Sequence, residues 1–301
     1  KMSGQRDSAS EIREMFVKEP LANWNGAIMP LSEVRVSVLD RAFLFGDAIY
    51  EVIRIYNGKP FLFQEHVSRL EKSIEKMGLA ANGQSIAARI QETISASDVE
   101  SGIVYVQVTR GVAPRSHRYP DSLPKPNELI YVSEFNDPYL ELRETGAAVI
   151  IQDDLRWKRC DLKSVNLLAN CMAAQAAHEA GCADALFVNT AGELVEGSRT
   201  SLFGVRNGTI LTAPLGKNIL PGITRKLLMD LAEKSGVELR EETLHSERLS
   251  EIDELFLTGT TTEILPITAV DDQPIGSGEV GPVVQRLLVA YKNRIAEFSA
   301  L

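Results

Sequence analysis

The stretch "RWKRCDLKSVNLLANCMAAQAAHEAG", residues 156–181, decides how the rest of the chain is interpreted. It contains a lysine, Lys163, directly before an alanine-rich run that predicts a long helix, from Ser164 to its stop at Gly181. An ammonium group beside a packed element is costly unless it is solvated, paired or used chemically. The first question is therefore whether Lys163 is present to react.

The rest of the chain mixes short strands with amphipathic helices. Asn-Gly pairs predict hairpin turns at residues 25–26, 57–58 and 207–208. Apolar residues at helical spacing from Val67 to Met77 predict a helix that ends at Gly78. Residues 112–128, "VAPRSHRYPDSLPKPNE", contain four prolines and predict a long loop, a kind of segment that is often functional. Strands and helices do not alternate regularly, which favours the α+β class over a doubly wound sheet.

Composition shifts divide the chain into three predicted parts. The polar start, residues 1–22, is interpreted as an N-terminal extension. A small α/β domain is predicted for residues 23–138 and a larger domain for residues 139–301, with the boundary in the linker-like text around Pro138.

Composition also excludes several classes of function. A net charge of −9 without a Lys/Arg block gives no electrostatic footprint for nucleic acid or an anionic membrane. The polar start lacks the apolar core of a signal peptide, and no apolar run approaches the length of a membrane span. Three scattered cysteines without a C-x-x-C pair, and four histidines in separate elements, predict neither a disulfide framework nor a metal site. We expect a reduced, cytoplasmic protein.

The usual nucleotide-binding and hydrolase fingerprints are missing, which leaves Lys163 as the leading chemical candidate. A lysine amine forms a Schiff base with an aldehyde, and pyridoxal 5'-phosphate is the commonest cofactor of this kind. Such chemistry needs a phosphate site, an acid for the pyridine nitrogen and a group that fixes the substrate carboxylate.

Seven segments, in order, resemble the fold type IV pyridoxal-phosphate enzymes, and most closely the D-amino-acid aminotransferases. The resemblance covers roughly residues 23–300 and implies two α/β domains with the cofactor bound between them, the larger one binding most of it, usually in a homodimer. The segments are "RAFLFGDAIYEVIRIYNG", "EHVSRL", "YVQVTRGVAPRSHRYP", "RWKRCDLKSVNLLANCMAAQAAHEAGC", "ELVEGSRTSLFG", "ILPGITR" and "ELFLTGTTTEILPI".

The resemblance assigns roles to individual positions. Lys163 matches the Schiff-base lysine, and Glu196 matches the acid that pairs with the pyridine nitrogen. Arg156 and Arg159 are expected to add positive charge that favours the neutral amine of Lys163. The expected phosphate ligands are Arg69, Ile223, Thr224, Thr260 and Thr261, in part because free N–H groups at a helix start attract phosphate.

The proline-rich loop discriminates between relatives. Arg115 and His117 have the R-x-H spacing that receives the substrate α-carboxylate in D-amino-acid aminotransferases, and Tyr50 resembles a third carboxylate contact. The expected activity is therefore reversible amine exchange between D-amino acids and 2-oxo acids. A branched-chain L-amino-acid aminotransferase, an aminodeoxychorismate lyase and a non-catalytic relative remain as alternatives. Arg199 and Ser201 depart from the family pattern, which leaves side-chain preference open.

Overall fold

A computed structural model describes residue 16 and residues 18–300. Most of the predicted N-terminal extension, residues 1–22, therefore lies outside the described residues. The chain divides into two compact units. Unit 1 contains the residues up to Asn136 and the returning segment Leu162–Asn166; unit 2 contains Asp137–Asp161 and the residues from Leu167 onward. The division lies two residues from the predicted boundary, and the functional roles given to the two domains stay predictions.

Unit 1 is an antiparallel six-stranded sheet with helices, in the strand order β2-β1-β6-β5-β3-β4. Its strands are β1 (Leu21–Trp24), β2 (Ala27–Pro30), β3 (Ala48–Tyr56), β4 (Lys59–Pro60), β5 (Gly102–Thr109) and β6 (Glu128–Glu134); its helices are α1 (Arg41–Phe45), α2 (Phe63–Met77) and α3 (Gly83–Ser97), with a 3-10 turn at Leu31–Glu33.

The core of unit 1 follows from the two-residue period of its strands. Ile49 and Ile53 of β3 point to the same buried face of the sheet, where they form one apolar cluster with Leu70 of α2 and Ile90 of α3. Glu51 lies on this same face of β3 and is also buried. A carboxylate in such a position needs a strong partner.

Unit 2 is built on a mixed ten-stranded sheet, in which β7 pairs in parallel with β8 and β15. Its strands are β7 (Ala147–Asp153), β8 (Asp184–Val188), β9 (Glu193–Gly197), β10 (Ser201–Arg206), β11 (Thr209–Thr212), β12 (Leu239–Glu241), β13 (Leu244–His245), β14 (Glu254–Gly259), β15 (Glu263–Val270) and β16 (Gln273–Pro274); its helices are α4 (Leu142–Thr145), α5 (Leu168–Glu179), α6 (Ile223–Lys234) and α7 (Pro282–Ala300), with a 3-10 segment at Ser246–Glu251.

The local predictions agree with these elements at most places. The three Asn-Gly pairs are the turns of the β1–β2, β3–β4 and β10–β11 hairpins, and each of these asparagines has a positive φ. Helix α2 ends at Gly78, with φ 59°. Within the described residues, helices and sheets are mixed in both units, as expected for the α+β class.

The predicted start of the alanine-rich helix is wrong. Helix α5 begins at Leu168 rather than at Ser164. Residues 163–165 pair instead with β3, because Ser164 forms an isolated bridge with Ile49 and the Val165 amide donates to the Ala48 carbonyl at 3.2 Å. Lys163 therefore lies on an extended segment held against a strand, not at a helix start.

Among the described residues, no helix is both long and apolar enough to cross a membrane. The same part of the chain contains no cluster of His, Cys, Asp or Glu side chains suited to a metal ion. The three cysteines are free thiols.

Candidate active site

Lys163 is placed by strand β3 in unit 1. Its carbonyl accepts from the Tyr50 amide at 2.9 Å, and its Nζ lies 4.3 Å from the centroid of the Tyr50 ring. The side chain is half-buried. The structure thus brings together Lys163 and Tyr50, which are 113 positions apart in the sequence.

A glycine allows the Lys163 segment to approach so closely. Gly46 ends helix α1 with φ 66°, and a Cβ at this position would lie 2.5 Å from Oδ1 of Asn166. The Asn166 side-chain amide donates to the Gly46 carbonyl at 3.0 Å. A side chain at residue 46 would therefore push the Lys163 segment away from the start of β3.

The predicted phosphate ligand Arg69 lies on the buried face of α2. Its Nε and Nη2 donate to the two carboxylate oxygens of Glu51, each at 2.7 Å. His66, one helical turn earlier, lies 2.8 Å through Nδ1 from Oε2 of Glu51. Glu51 thus fixes the direction of the Arg69 guanidinium.

Burial and mutual contacts set the charges in the cluster of Glu51, Arg69 and His66. Burial acts to raise the pKa of Glu51, but the charge and hydrogen bonds of Arg69, together with His66, hold that pKa at about 2. Burial lowers the pKa of His66 below its ordinary value, although Glu51 acts in the opposite direction. Glu51 is therefore ionised at neutral pH, and the neutral imidazole is favoured.

The R-x-H loop is anchored by buried charges. Arg41 donates from Nε to Asp47 at 2.8 Å and from Nη1 to the Ser116 carbonyl at 2.7 Å. Arg110 also donates from Nε to the same Asp47 oxygen at 2.8 Å. Ser116 lies between the two expected carboxylate ligands, so Arg41 holds the backbone from which both project.

Arg115 and His117 are both exposed, and both approach the ring of Phe45. The Arg115 guanidinium carbon lies 5.5 Å from the ring centroid, and the His117 ring centroid lies 5.5 Å from it. In the described part of the chain, neither side chain forms an ion pair with a carboxylate. The Arg115 guanidinium and the His117 ring are therefore available to bind an anion.

In unit 2, Glu196 lies against Arg156. Its carboxylate is buried, with the residue 5% exposed, and accepts from Nη1 of Arg156 through Oε1. The other oxygen accepts from the Leu220 amide at 3.2 Å. Burial raises the pKa of Glu196, and Arg156 and the Leu220 amide act against this rise.

Arg156 is itself fixed on several sides. Its Nε and Nη2 donate to the two oxygens of Asp154, each at 2.8 Å, and its guanidinium carbon lies 4.5 Å above the Phe187 ring. Asp154 raises the pKa of Arg156 against the effect of burial. Arg156 is therefore a permanent positive charge directed at Glu196.

The start of helix α6 fits a phosphate group. Its N-cap, Gly222, supplies no side-chain hydrogen bond to the amides of the first turn, and the positive end of the helix dipole lies there. A Cβ at Gly222 would lie 2.8 Å from Oγ of Ser201. Ile223 and Thr224 follow as the first helical residues and are buried.

The other predicted phosphate ligands, Thr260 and Thr261, form the turn between β14 and β15. Both are partly exposed, and the carbonyl of Thr261 accepts from Nη2 of Arg143 at 3.2 Å. An ideal Cβ at the neighbouring Gly259 would lie 3.5 Å from the methyl group of Thr200, so this turn adjoins the loop that follows Glu196.

One expectation about charge is not supported. Arg156 and Arg159 were expected to act on the amine of Lys163, but Arg156 pairs with Asp154 and Glu196, and Arg159 pairs with Asp161 at 2.9 Å. In each of these ion pairs the negative charge of the carboxylate offsets the positive charge of the guanidinium. The charge of Arg156 is directed at Glu196 instead.

Sequence reasoning missed the supporting residues Glu51, His66, Asp154 and Arg41. A signal for the first two existed: an acid in the middle of the apolar strand β3, and a histidine three positions before Arg69 on one helix face. The Arg41–Ser116 contact joins a side chain to a carbonyl 75 positions away and leaves no such pattern.

Comparison with known proteins agrees with this geometry. The family described as amino-transferase class IV matches residues 48–270. The chain belongs to the class IV aminotransferases. Members of this family use pyridoxal phosphate, and this enzyme is a pyridoxal-phosphate-dependent transaminase.

Two groups of relatives are similar to the aminotransferase. A D-alanine aminotransferase of Bacillus licheniformis is 38% identical over 92% of this chain and 98% of its own length. One from Staphylococcus aureus (strain MSSA476) is 35% identical over 91% and 98%. Among solved structures, the branched-chain amino acid aminotransferase of Escherichia coli superposes with a TM-score of 0.86 at 25% identity, covering 92% of this chain and 94% of that one.

A second solved structure carries a cofactor in its name. The T.th. branched-chain amino acid aminotransferase with pyridoxamine 5'-phosphate superposes with a TM-score of 0.85 at 28% identity, covering 93% and 95% of the two chains. The aminotransferase has residues that fit such a cofactor. These are the half-buried Lys163 and the buried Glu196, which Arg156 holds. The start of helix α6 also fits, because a Cβ on Gly222 would lie against the Ser201 hydroxyl.

Proposed function

We propose that the enzyme is a D-amino-acid:2-oxo-acid aminotransferase. The observation that carries the proposal is the R-x-H loop, where Arg115 and His117 are exposed while the backbone between them is tied to Arg41 at 2.7 Å. Side chains two positions apart can face one anion from an extended segment. The similarity to D-alanine aminotransferases supports the same choice.

Bound pyridoxal phosphate supplies the electron sink that makes the substrate Cα–H bond acidic. Within this proposal, Lys163 would hold the cofactor covalently, and its freed Nζ would accept the proton of the substrate Cα and donate it again. Glu196, held in place by Arg156, would pair with the pyridine nitrogen. Arg69 and the first turn of α6, with Ile223 and Thr224, bind the phosphate, and the hydroxyls of Thr260 and Thr261 add to this binding.

Tyr50, Arg115 and His117 are proposed to bind the substrate α-carboxylate. The guanidinium of Arg115 suits the two oxygens of a carboxylate better than a lysine would. Nζ of Lys163 would take the substrate proton from one side. The position of the carboxylate then decides which enantiomer presents its Cα–H bond to Nζ.

The same proposal includes a homodimer in the cytoplasm. Unit 1 exposes large apolar side chains next to the R-x-H loop, among them Val38 at 66% and Phe43 at 71% exposure. Exposed apolar patches of this kind are typical of subunit interfaces. The three free thiols are consistent with a reducing compartment.

A branched-chain L-amino-acid aminotransferase is the second candidate, because the solved structures that superpose on this chain include several such enzymes. Initial rates separate the two when D-alanine, L-leucine and L-valine are each paired with 2-oxoglutarate and D-glutamate is paired with pyruvate. We expect turnover of the D-amino acids to exceed that of both L-amino acids. Faster turnover of L-leucine or L-valine would replace the D-selective function with the branched-chain one, and release of pyruvate from aminodeoxychorismate would indicate a lyase.

A further inference from the structure

Arg199 lies on a short, rigid turn that follows Glu196. The turn is closed by the Gly197 amide, which donates to the Thr200 carbonyl at 2.8 Å. Hydroxyls on both sides of Arg199, those of Ser198 and Thr200, donate to the buried carboxylate of Asp184 at 2.5 and 2.8 Å. The backbone is thus fixed while the Arg199 side chain is exposed.

The guanidinium of Arg199 is held by a neutral group. Its Nη2 donates to the Tyr139 hydroxyl at 2.6 Å, and its central carbon lies 5.9 Å from the ring centroid. Tyr139 is buried, and burial raises its pKa, so the phenol stays protonated and contributes no negative charge. The contact orients Arg199 without neutralising it.

This arrangement differs from that of other arginines in unit 2. Arg143, Arg156 and Arg225 each form an ion pair with a carboxylate. No carboxylate of the described residues forms an ion pair with Arg199. A preoriented guanidinium that retains its charge is a receptor for an anion.

The turn of Arg199 also lies next to the candidate cofactor ligands of unit 2. Ser201, two positions on, has its hydroxyl 2.8 Å from where a Cβ of Gly222 would be. The Tyr139 hydroxyl, which holds Arg199, also lies beside Thr262, directly after the Thr260–Thr261 turn. A charge in this position can act on a substrate and not only on solvent.

We propose that Arg199 is a specificity-determining residue that binds the side-chain carboxylate of dicarboxylic amino acids and 2-oxo acids, with Tyr139 as its positioning residue. This assignment rests on the proposed amine exchange at the same site. The distal carboxylate of such a substrate then has a receptor of its own, Arg199, separate from the groups that bind the α-carboxylate. A substrate with an uncharged side chain uses only those groups.

The test compares acceptors that differ by the distal carboxylate. We would measure kcat/KM for 2-oxoglutarate and for pyruvate with wild type, Arg199→Gln and Arg199→Lys, using as donor an amino acid that the wild type turns over and that is neither alanine nor glutamate. Loss of a charge-assisted hydrogen bond is expected to lower kcat/KM for 2-oxoglutarate about ten- to a hundredfold in Arg199→Gln. The kcat/KM for pyruvate should change less than about threefold, because pyruvate has no second carboxylate for Arg199 to bind.

Arg248→Gln is the matched control, because Arg248 is exposed in the same unit and already pairs with Glu251 at 2.7 Å. Tyr139→Phe should reproduce part of the Arg199→Gln effect in the same direction. Equal losses for both acceptors, or no loss for 2-oxoglutarate, would overturn the assignment of Arg199.

A binding measurement separates this inference from the proposed function. Thermal shift of the holoenzyme with glutarate and with butyrate needs no turnover. We expect glutarate to stabilise wild type more than butyrate does, and this difference to vanish in Arg199→Gln. An enzyme that prefers L-amino acids but shows this difference would refute the D-selective function alone, whereas equal shifts in wild type would refute the role of Arg199 alone.

Discussion

Arg156 donates from Nη1 to the buried carboxylate of Glu196, and the same guanidinium is held on its other edge by both oxygens of Asp154 at 2.8 Å. This chain of charges opposes the desolvation that raises the pKa of Glu196. Arg156 therefore acts against the loss of the Glu196 charge that burial favours. The proposed pairing of Glu196 with the cofactor ring depends on this relationship.

Replacement of Arg156 by methionine should raise the pKa of Glu196 further, because burial would act without its main opponent. The protonated acid cannot stabilise a pyridinium nitrogen, so kcat should fall, and the acidic limb of the kcat profile should move to higher pH. Stopped-flow measurement of the amino-acid half-reaction across pH checks this. Arg159→Met is the control, since Arg159 pairs with Asp161 and has no contact with Glu196; an identical effect of both substitutions would contradict the role of Arg156.

Lys163→Ala should abolish transamination and covalent attachment of the cofactor while the fold survives, because no described core contact depends on the amine. Borohydride reduction followed by peptide mass spectrometry reports the attachment, and thermal unfolding reports the fold. Lys158→Ala, an exposed lysine of the same stretch, should retain both properties. Turnover close to wild type in Lys163→Ala would end the assignment.

Arg41→Met should weaken substrate binding without loss of cofactor. The substitution removes the hydrogen bond to the Ser116 carbonyl and leaves Asp47 with only Arg110, so the R-x-H loop loses its anchor. We expect kcat/KM for D-alanine to fall about ten- to a hundredfold, mostly through KM. Arg35→Met tests specificity, because among the described residues Arg35 donates only to carbonyls of its own segment. A fall in kcat at constant KM would argue against a positioning role.

Glu51 should make stability depend on pH in the acidic range. Its pKa is about 2 in the fold and 4.5 as an isolated group, so its ionisation stabilises the native state above pH 4.5 and this contribution is lost as the pH falls toward 2. The contribution is about 3 kcal/mol when complete. The gap in unfolding free energy between wild type and Glu51→Gln should therefore narrow from pH 5 to pH 2.5. Glu92→Gln, on the exposed face of α3, should show no such gap; a constant gap for Glu51→Gln would contradict the linkage.

Local signals in the sequence predicted much of this fold. Hairpin turns at Asn-Gly pairs and the end of α2 at Gly78 depend on neighbouring residues alone, and the structure has them. The start of α5 could not be predicted in this way, because Ser164 and Val165 pair with a strand more than a hundred positions earlier. Alanine-rich composition favours a helix, but the tertiary pairing prevails at its first four residues.

In the candidate site, too, some features could be predicted from the sequence and others depend on distant contacts. The family resemblance assigned functional roles to Lys163, Glu196, Arg69 and the R-x-H loop, and those roles stay predictions. The partners that orient them are far away in sequence: Glu51 is 18 positions from Arg69, and Arg156 is 40 positions from Glu196. The sequence shows that an acid such as Glu51 lies in an apolar strand, but which charged group it meets depends on the fold.

The most direct test of the D-selective function is the chirality of the product. Wild-type enzyme would receive racemic alanine as amine donor and 2-oxoglutarate as acceptor, and the glutamate formed would be separated by chiral chromatography. The carboxylate position set by Arg115 and His117 predicts D-glutamate as the product. Formation of L-glutamate would contradict the proposed function.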